Sequence, residues 1–406
     1  MDEKAKKQAL LMIPYGLFVL GAAHGGTATA ATVNWVTQAS FNPPLVVVGI
    51  KKDSGSHAMV KDSKKFALSM LGAGQKPIAG AFFRHVEPKD GKFGDFAFQN
   101  GKNGPPIITD APVAAAQQWF APKLAQGPRT NGWFWFWAAE ALPALDLHVM
   151  TDDARYLDYA RAIVDFMEKT AARTPDGAFV PHPPALEVWV DVCYFTAPAI
   201  ALLGRISHDA AMQERALDQM LLHSDHLTDS RTGLFWHVAD VEKKSHSACL
   251  WARGNSWFSI AAPQVLQKID DAGSSARFAE KVYKVRAVLA RQMNAIARLQ
   301  DQSGLWHTVI DRPDSYLEAS SAAGFALAFG RALRTGLAGL DRKLAEASYA
   351  RAIGAICAKI NTSGEFTGVS QQTPPGDFDF YNSIETGTAP FATGVCMMAL
   401  SEALKT

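Results

Sequence analysis

One acid stands out by its surroundings. Asp191 lies in Glu187-Val188-Trp189-Val190-Asp191-Val192-Cys193-Tyr194-Phe195, where most neighbours are apolar. A carboxyl group in such a setting resists ionisation and can donate a proton near neutral pH. Aspartate is also a good N-cap, here for a helix expected around Ala197–Arg205, and both readings stand at this stage. His182, His237 and His307 recur at matched places, and Trp236 and Trp306 sit beside the last two. In Cys249-Leu250-Trp251-Ala252-Arg253-Gly254-Asn255-Ser256-Trp257 the arginine stands between two tryptophans. On a helix, a spacing of four puts Trp257 on the face of Arg253. Aromatic faces stack on sugar rings, while His and Arg supply hydrogen bonds and charge. A guanidinium between aromatics can grip a carboxylate with two hydrogen bonds, or can be a surface arginine stacked on tryptophan. Taken together, these residue types suit an acidic carbohydrate.

The elements that must hold these residues carry an internal repeat. Asp176-Gly177-Ala178-Phe179, Thr232-Gly233-Leu234-Phe235, Ser303-Gly304-Leu305-Trp306 and Ser363-Gly364-Glu365-Phe366 share one pattern, with glycines 56, 71 and 60 residues apart. Each copy follows a helical segment and precedes a short extended piece. A period of about 60 residues fits one helical hairpin plus connections. Asp152-Asp153 caps a helix through Tyr156, Ala160, Ile163 and Met167, which ends at Thr174-Pro175-Asp176-Gly177. Further helices are expected near 197–206, 211–226, 253–269, 275–299, 319–336, 341–360 and 390–404. Stacked hairpins either close into an α/α toroid or stay open as a helical-repeat scaffold. The aromatics in the turns favour a toroid with a shared pocket.

Residues 10–112 read differently. Gly16–Leu20, Ala31–Ser40 and Leu45–Ile50 are short and bounded by Gly, Pro and Asn, as strands are. A helix is expected over Ala58–Met70, with Met59, Phe66 and Met70 in its apolar stripe. The pattern suggests a small barrel. Lys4, Lys6 and Lys7 before the apolar stretch Ala9–Ala23 imitate a secretion leader. Asp2, Glu3, Pro14 and Gly16 argue instead for a first strand there.

Composition agrees with this division. Of 406 residues, 40 are basic and 39 acidic, a net charge of +1 that gives no case for nucleic acid. The stretch to Pro112 holds 13 basic and 8 acidic residues, so the remainder is net negative. No apolar run reaches the roughly 18–20 residues of a membrane helix. Cys193, Cys249, Cys357 and Cys396 form no CxxC and sit by apolar residues, as buried reduced thiols of a cytoplasmic protein do. Oligomeric state is not legible.

The stretch from Gly132 to Thr406 resembles the unsaturated glucuronyl and rhamnogalacturonyl hydrolases, glycoside hydrolase families 88 and 105. The matching motifs are Val188-Trp189-Val190-Asp191 with Pro198, Gly233-Leu234-Phe235-Trp236-His237, Trp251-Ala252-Arg253-Gly254-Asn255-Ser256-Trp257, and Ser303-Gly304-Leu305-Trp306-His307 continuing to Tyr316-Leu317-Glu318-Ala319-Ser320. The resemblance implies an (α/α)6 toroid with no metal and no cofactor, acting on the 4,5-unsaturated uronic acid that a polysaccharide lyase leaves. It implies Asp191 as the catalytic acid, and His182, His237, Trp251, Arg253, Trp257, His307, Tyr316 and Glu318 as substrate-binding residues. Many such proteins carry a second aspartate on an earlier helix, where this chain reads Trp133-Phe134-Trp135-Phe136-Trp137. Too few residues precede that stretch for a further helical pair, so the toroid is expected to be short by one hairpin.

The first 112 residues are similar to the flavin-reductase-like FMN-binding split barrel. That match runs from Thr29 through Thr32, Asn34, Trp35, Val36 and Thr37 to Pro44, then through Ser54-Gly55-Ser56-His57 and Lys64-Lys65-Phe66. It implies FMN, with Thr32–Thr37 facing the ring and Ser56 and His57 near the phosphate. The match stops at Gly104-Pro105-Pro106, before the strands that complete such a barrel. The expected fold is thus multidomain: an incomplete β split barrel over 1–112, a junction over 113–130 and an all-α (α/α)6 domain over 131–406. The expected activity is a glycosidase, with an FMN-dependent oxidoreductase as the alternative.

Overall fold

A computed structural model describes residues 16–41, 44–72, 75–101, 103–130 and 134–405. Contacts divide the chain after Gln126. The first unit is built on β1 (Leu17–His24), which lies antiparallel between β2 (Thr27–Val33) and β5 (Ala67–Leu71). Successive side chains of a strand point to opposite faces, and β1 uses both. Val19 packs with Ala30, Ile78, Phe82, Phe93 and Ile108. Leu20 and Ala22 pack on the other side with Val33, Met59 and Val60. β3 (Val36–Phe41) and β4 (Pro44–Val48) form a separate two-stranded ribbon, and β6 (Pro88–Lys89), β7 (Lys92–Phe93), β8 (Phe96–Asn100) and β9 (Pro106–Ile108) make a small meander. α1 (Gly55–Ser63), α2 (Lys76–Ala81) and α3 (Asp110–Gln126) complete the unit, so a helix fills most of the expected junction.

Two expectations need correcting here. The helix expected over Ala58–Met70 is α1, which stops where Lys64 turns left-handed at φ 58°. Phe66 and Met70, which set its apparent stripe, lie beyond it, and Met70 is 77% exposed on β5 opposite Phe18. Ala31–Ser40 is two strands, interrupted at Asn34-Trp35. The strand expected from Gly16 runs on to His24, and the part of the Ala9–Ala23 reading before Gly16 lies outside the described residues.

The second unit is a double row of helices. α4 (Phe134–Thr151), α6 (Val190–Ile206), α8 (Ala252–Asp271), α10 (Ala319–Thr335) and α13 (Pro390–Ala403) form the inner row, each packed on the next. α5 (Ala154–Thr170), α7 (Ala210–Leu227), α9 (Ala279–Arg298) and α11 (Arg342–Ala358) back onto α4, α6, α8 and α10. α12 (Phe378–Ser383) is a short helix before α13. Sequence explains the division. α5 buries one stripe, Tyr156, Ala160, Ile163 and Met167, as an outer helix does. α10 is buried nearly all round and rich in Ala, Gly and Ser. These small residues let inner helices approach closely: a Cβ on Gly324 would lie 2.6 Å from Ser256 Cβ.

The repeat is realised as four like turns. Gly177, Gly233, Gly304 and Gly364 have φ of 105°, 80°, 86° and 83°, the region glycine tolerates best. Their N–H groups donate back to the carbonyls of Thr174, Asp229, Asp301 and Asn361. The first three then lead through short strands towards α6, α8 and α10, the last towards α13. Of the four thiols, Cys193, Cys249 and Cys396 are buried, but Cys357 is exposed, contrary to expectation. It sits on an outer helix whose buried stripe runs through Ala345, Ser348, Ala352 and Ile356, and it lies one residue off that stripe. No described helix is long and apolar enough to cross a membrane.

Candidate active site

The starts of α6, α8, α10 and α13 meet at one end of the helical unit. β10 (Glu187–Trp189) pairs antiparallel with β11 (Val238–Asp240), and Val190 N–H donates to the His237 carbonyl at 3.0 Å. This ladder sets His237 against the first turn of α6. Asp191 is the second residue of that helix, and the cap position belongs to Trp189. The N-cap reading of Asp191 therefore fails, because α6 begins seven residues before Ala197.

Asp191 has an uncommitted oxygen. Its Oδ2 is buried without a hydrogen-bond partner among the described residues, 3.4 Å from His237 Nε2 but not aligned as a hydrogen bond. The side chain as a whole keeps 15% exposure, so the carboxyl group is reachable through its other oxygen. His237 is itself 1% exposed, and its Nδ1 lies 2.6 Å from the Tyr381 hydroxyl. Trp251 leans on the His237 ring at 4.3 Å and Trp189 meets it edge-on at 5.5 Å. His182 meets Trp189 edge-on at 4.7 Å, and burial holds its pKa below the usual value despite Glu187.

Arg253 lies 4.6 Å over Trp251, as the sequence suggested, but its other aromatic is Phe391 at 5.2 Å. Trp257 instead stacks on Tyr194 at 4.8 Å. The guanidinium is committed to the protein. Nη1 donates to the carbonyl and hydroxyl of Ser370 at 2.7 and 2.6 Å, and Nη2 to the Gln371 carbonyl and Thr373 hydroxyl, both at 2.8 Å. All four Nη hydrogens have acceptors, so Arg253 is not free for a two-bond grip on a substrate carboxylate. It contributes charge instead. Burial pulls its pKa down, while Glu318, then Asp191, oppose that shift.

Glu318 is a pillar rather than a substrate ligand. It caps α10 through Ser320 N and Ser321 N, and also accepts from Ser320 Oγ and Ser370 N. It faces Arg253 at 3.8 Å. Tyr316 is half-buried beside this pair, its phenol pKa raised by burial. His307 is not drawn into the cluster: its Nδ1 bonds the Ser315 carbonyl, which staples its own loop. The sequence reading missed Trp189 as a wall, Tyr381 on His237, Phe391 on Arg253 and the Ser370–Thr373 acceptors.

The first unit places its candidates apart. Thr32 donates its hydroxyl to the Ala79 carbonyl at 2.6 Å. Asn34, Trp35 and Thr37 are exposed and Val36 is half-buried. Ser56 and His57 lie in the first turn of α1, which Ser54 caps by accepting from His57 N–H.

Comparison with known proteins follows this division. The flavin reductase like domain matches residues 10–118. Diflavin flavoprotein A 1 of Synechocystis is 33% identical over 26% of this chain and 18% of its own length. Unsaturated rhamnogalacturonyl hydrolase YesR of Bacillus subtilis is 32% identical over 45% of this chain and 54% of its own. The chain thus spans about half of one curated relative and under a fifth of the other. A crystal structure from Salmonella enterica serovar Paratyphi A, described as a possible member of the GH105 family, superposes with a TM-score of 0.66 at 30% identity, over 73% of this chain and 78% of that one. The model for Glycosyl Hydrolase Family 88 aligns with residues 137–406, which hold Asp191, His237 and Arg253 and make up well over half of the sequence, and the chain belongs to that family.

Proposed function

We propose that the helical unit removes a 4,5-unsaturated uronic acid from lyase-generated oligosaccharides, with Asp191 as acid and then base. The observation that carries this is a reachable carboxyl group, one oxygen uncommitted, walled by His237 and tryptophans at the meeting point of four inner-helix starts. Helix N-termini favour negative charge, and Arg253 adds a buried cation. A uronate suits both. We read the double row as part of the family's (α/α)6 toroid: the described residues hold five inner and four outer long helices, three fewer than the full ring of twelve.

The chemistry follows from the substrate's vinyl ether. Asp191 donates its proton to C4, and the electron pair of C4=C5 forms that C–H bond. Positive charge at C5 is shared with the ring oxygen. Water adds at C5 and returns a proton to the Asp191 carboxylate. The hemiketal opens by breaking the bond between C5 and the ring oxygen, which leaves a ketone at C5 and a hemiacetal at C1. The hemiacetal expels the neighbouring sugar. No displacement occurs at the anomeric carbon, so one carboxyl group suffices and the two-carboxylate spacing of ordinary glycosidases does not apply. The missing second aspartate in 133–137 is compatible with this, although the position that it would fill holds only aromatics.

The test is the loss of double-bond absorbance from unsaturated disaccharides. Asp191→Asn is expected to lower kcat by about 10²–10⁴-fold with the fold intact. Inactive wild type, or an unimpaired variant, overturns the reading.

For the first unit the residues fit one end of FMN. The α1 start offers backbone N–H groups beside Lys51 and Lys52, and a Cβ on Gly55 would meet nothing within 4 Å, so a phosphate has room. The ring end does not fit: the Thr32 hydroxyl is engaged and Asn34 to Thr37 largely face out. When bound, FMN supplies hydride chemistry, but no redox step is assigned to this unit.

A further inference from the structure

We propose that Tyr381 is a positioning residue that fixes His237 as the tautomer protonated on Nε2, so that an N–H faces Asp191 Oδ2. This inference rests on the proposed role of Asp191 and adds how its charge is managed. The geometry is a three-member chain: the Tyr381 hydroxyl lies 2.6 Å from Nδ1, and Nε2 lies 3.4 Å from Oδ2. Tyr381 and His237 are both buried, so water does not compete for either ring nitrogen. α12 holds the phenol in place, since Asp377 caps it through Phe380 N–H and accepts from Tyr381 N–H through its carbonyl.

The direction of the bond decides the chemistry. Burial raises the phenol pKa well above its usual value, and a negative charge on Asp191 acts the same way, so the hydroxyl keeps its proton. A phenol that donates to Nδ1 leaves the imidazole proton on Nε2. In the opposite arrangement a bare Nε2 lone pair would face Asp191 Oδ2, which has no hydrogen-bond partner among the described residues. That arrangement repels the carboxylate formed once C4 has taken the proton. With Nε2–H in place, the O–H bond of Asp191 breaks at the exposed oxygen, the C4–H bond forms, and the new charge on Oδ2 lies 3.4 Å from a protonated ring nitrogen rather than a lone pair. The groups facing this chain are Cys249 and Asp191 around Tyr381, and Arg253 near Asp191. The indoles of Trp189 and Trp251 on His237 do not titrate.

The experiment reads the tautomer directly, by long-range ¹H–¹⁵N correlation of His237 in the full chain, alongside kinetics on an unsaturated disaccharide. Wild type is expected to show Nε2–H. Tyr381→Phe keeps the ring and drops the hydroxyl. It is expected to shift His237 towards a mixture of tautomers and to lower kcat about 10- to 100-fold with KM little changed. His237 protonated on Nδ1 in wild type, an unchanged tautomer in Tyr381→Phe, or a changed tautomer with unchanged kcat would each overturn the proposal. Should Tyr381→Phe fail to fold, the wild-type tautomer alone still decides. If wild type turns over no unsaturated uronide, the functional reading falls while the tautomer measurement continues to report on Tyr381.

Discussion

The two units solve burial in opposite ways. In the helical unit each hairpin closes within about 60 residues and hands its apolar face to the next, so every inner helix finds a neighbour on either side or behind it. In the β unit, β1 is covered on both faces, yet the β3–β4 ribbon leaves Trp35, Leu45, Val46 and Val47 exposed. Sheet edges need distant partners, and a segment that supplies only some of the strands leaves edges open. The lesson is that stacked hairpins bury their faces against sequence neighbours, whereas a small sheet depends on partners from further along the chain. It also explains why the well-built site lies among the helices, where several helix starts are fixed independently and converge.

The largest effect expected on this contrast comes from the buried cation. Arg253→Ala removes four hydrogen bonds to Ser370, Gln371 and Thr373 and leaves Glu318 without its cation. Breaking such a buried pair costs about 3–5 kcal/mol. The expected result is a large drop in the melting midpoint of the helical unit, with the transition of the β unit unmoved. If the variant melts like wild type but loses substrate affinity, Arg253 is a substrate ligand after all and the strut assigned to it is wrong.

Next in size is an acid response of the helical unit. His223 is buried, with one ring nitrogen bonded to the Gln219 carbonyl at 2.7 Å and the other without a hydrogen-bond partner among the described residues. Burial pulls its pKa down to about 4. The unfolded ring takes its proton near pH 6.5, about two units or more higher. The folded state therefore binds fewer protons between those values. Stability is full above pH ~6.5 and falls as pH drops towards ~4, by about 3 kcal/mol from this group. Urea midpoints measured across that window test the slope, which His223→Gln should flatten. A slope that persists in the variant assigns the acid sensitivity elsewhere.

How much of this was legible depended on sequence distance. The repeat turns were, because each is written in four adjacent residues and enforced by a glycine at positive φ. Asp191 was, because a lone acid among apolar residues is a local anomaly. Tyr381, the partner of His237, was not: it lies 144 residues from that histidine on a helix too short to show periodicity. The stacking of Arg253 was half legible. Trp251 is two residues away, but Phe391 comes from the start of the last helix. Glu318 looked like a binding acid because its type fits. Only the structure shows its oxygens taken up by a helix start and Ser370. In the β unit Phe66 and Met70 sat at helical spacing and drew α1 too long. The stop signal was a left-handed lysine, which no side-chain pattern announces.

The smallest expected effect falls on Trp35, and it tests the weaker half of the contrast. The indole is 63% exposed, covers little beyond Gly49, and lies in the segment for which the sequence resemblance implied a flavin contact. Trp35→Ser should change stability by no more than about 0.5 kcal/mol, the usual cost of a surface substitution. The buried Trp306, bonded to the Ile296 carbonyl and edge-on to Phe325, sets the opposite standard: its truncation to alanine costs about 3–5 kcal/mol. If FMN binds only through its phosphate at the start of α1, titration gives the same isotherm for wild type and Trp35→Ser. A stability loss near that of Trp306 would mean that the ribbon is covered in solution. A weakened FMN isotherm would mean that the ring end is better built than its exposure suggests, and the gap between the two units would narrow accordingly.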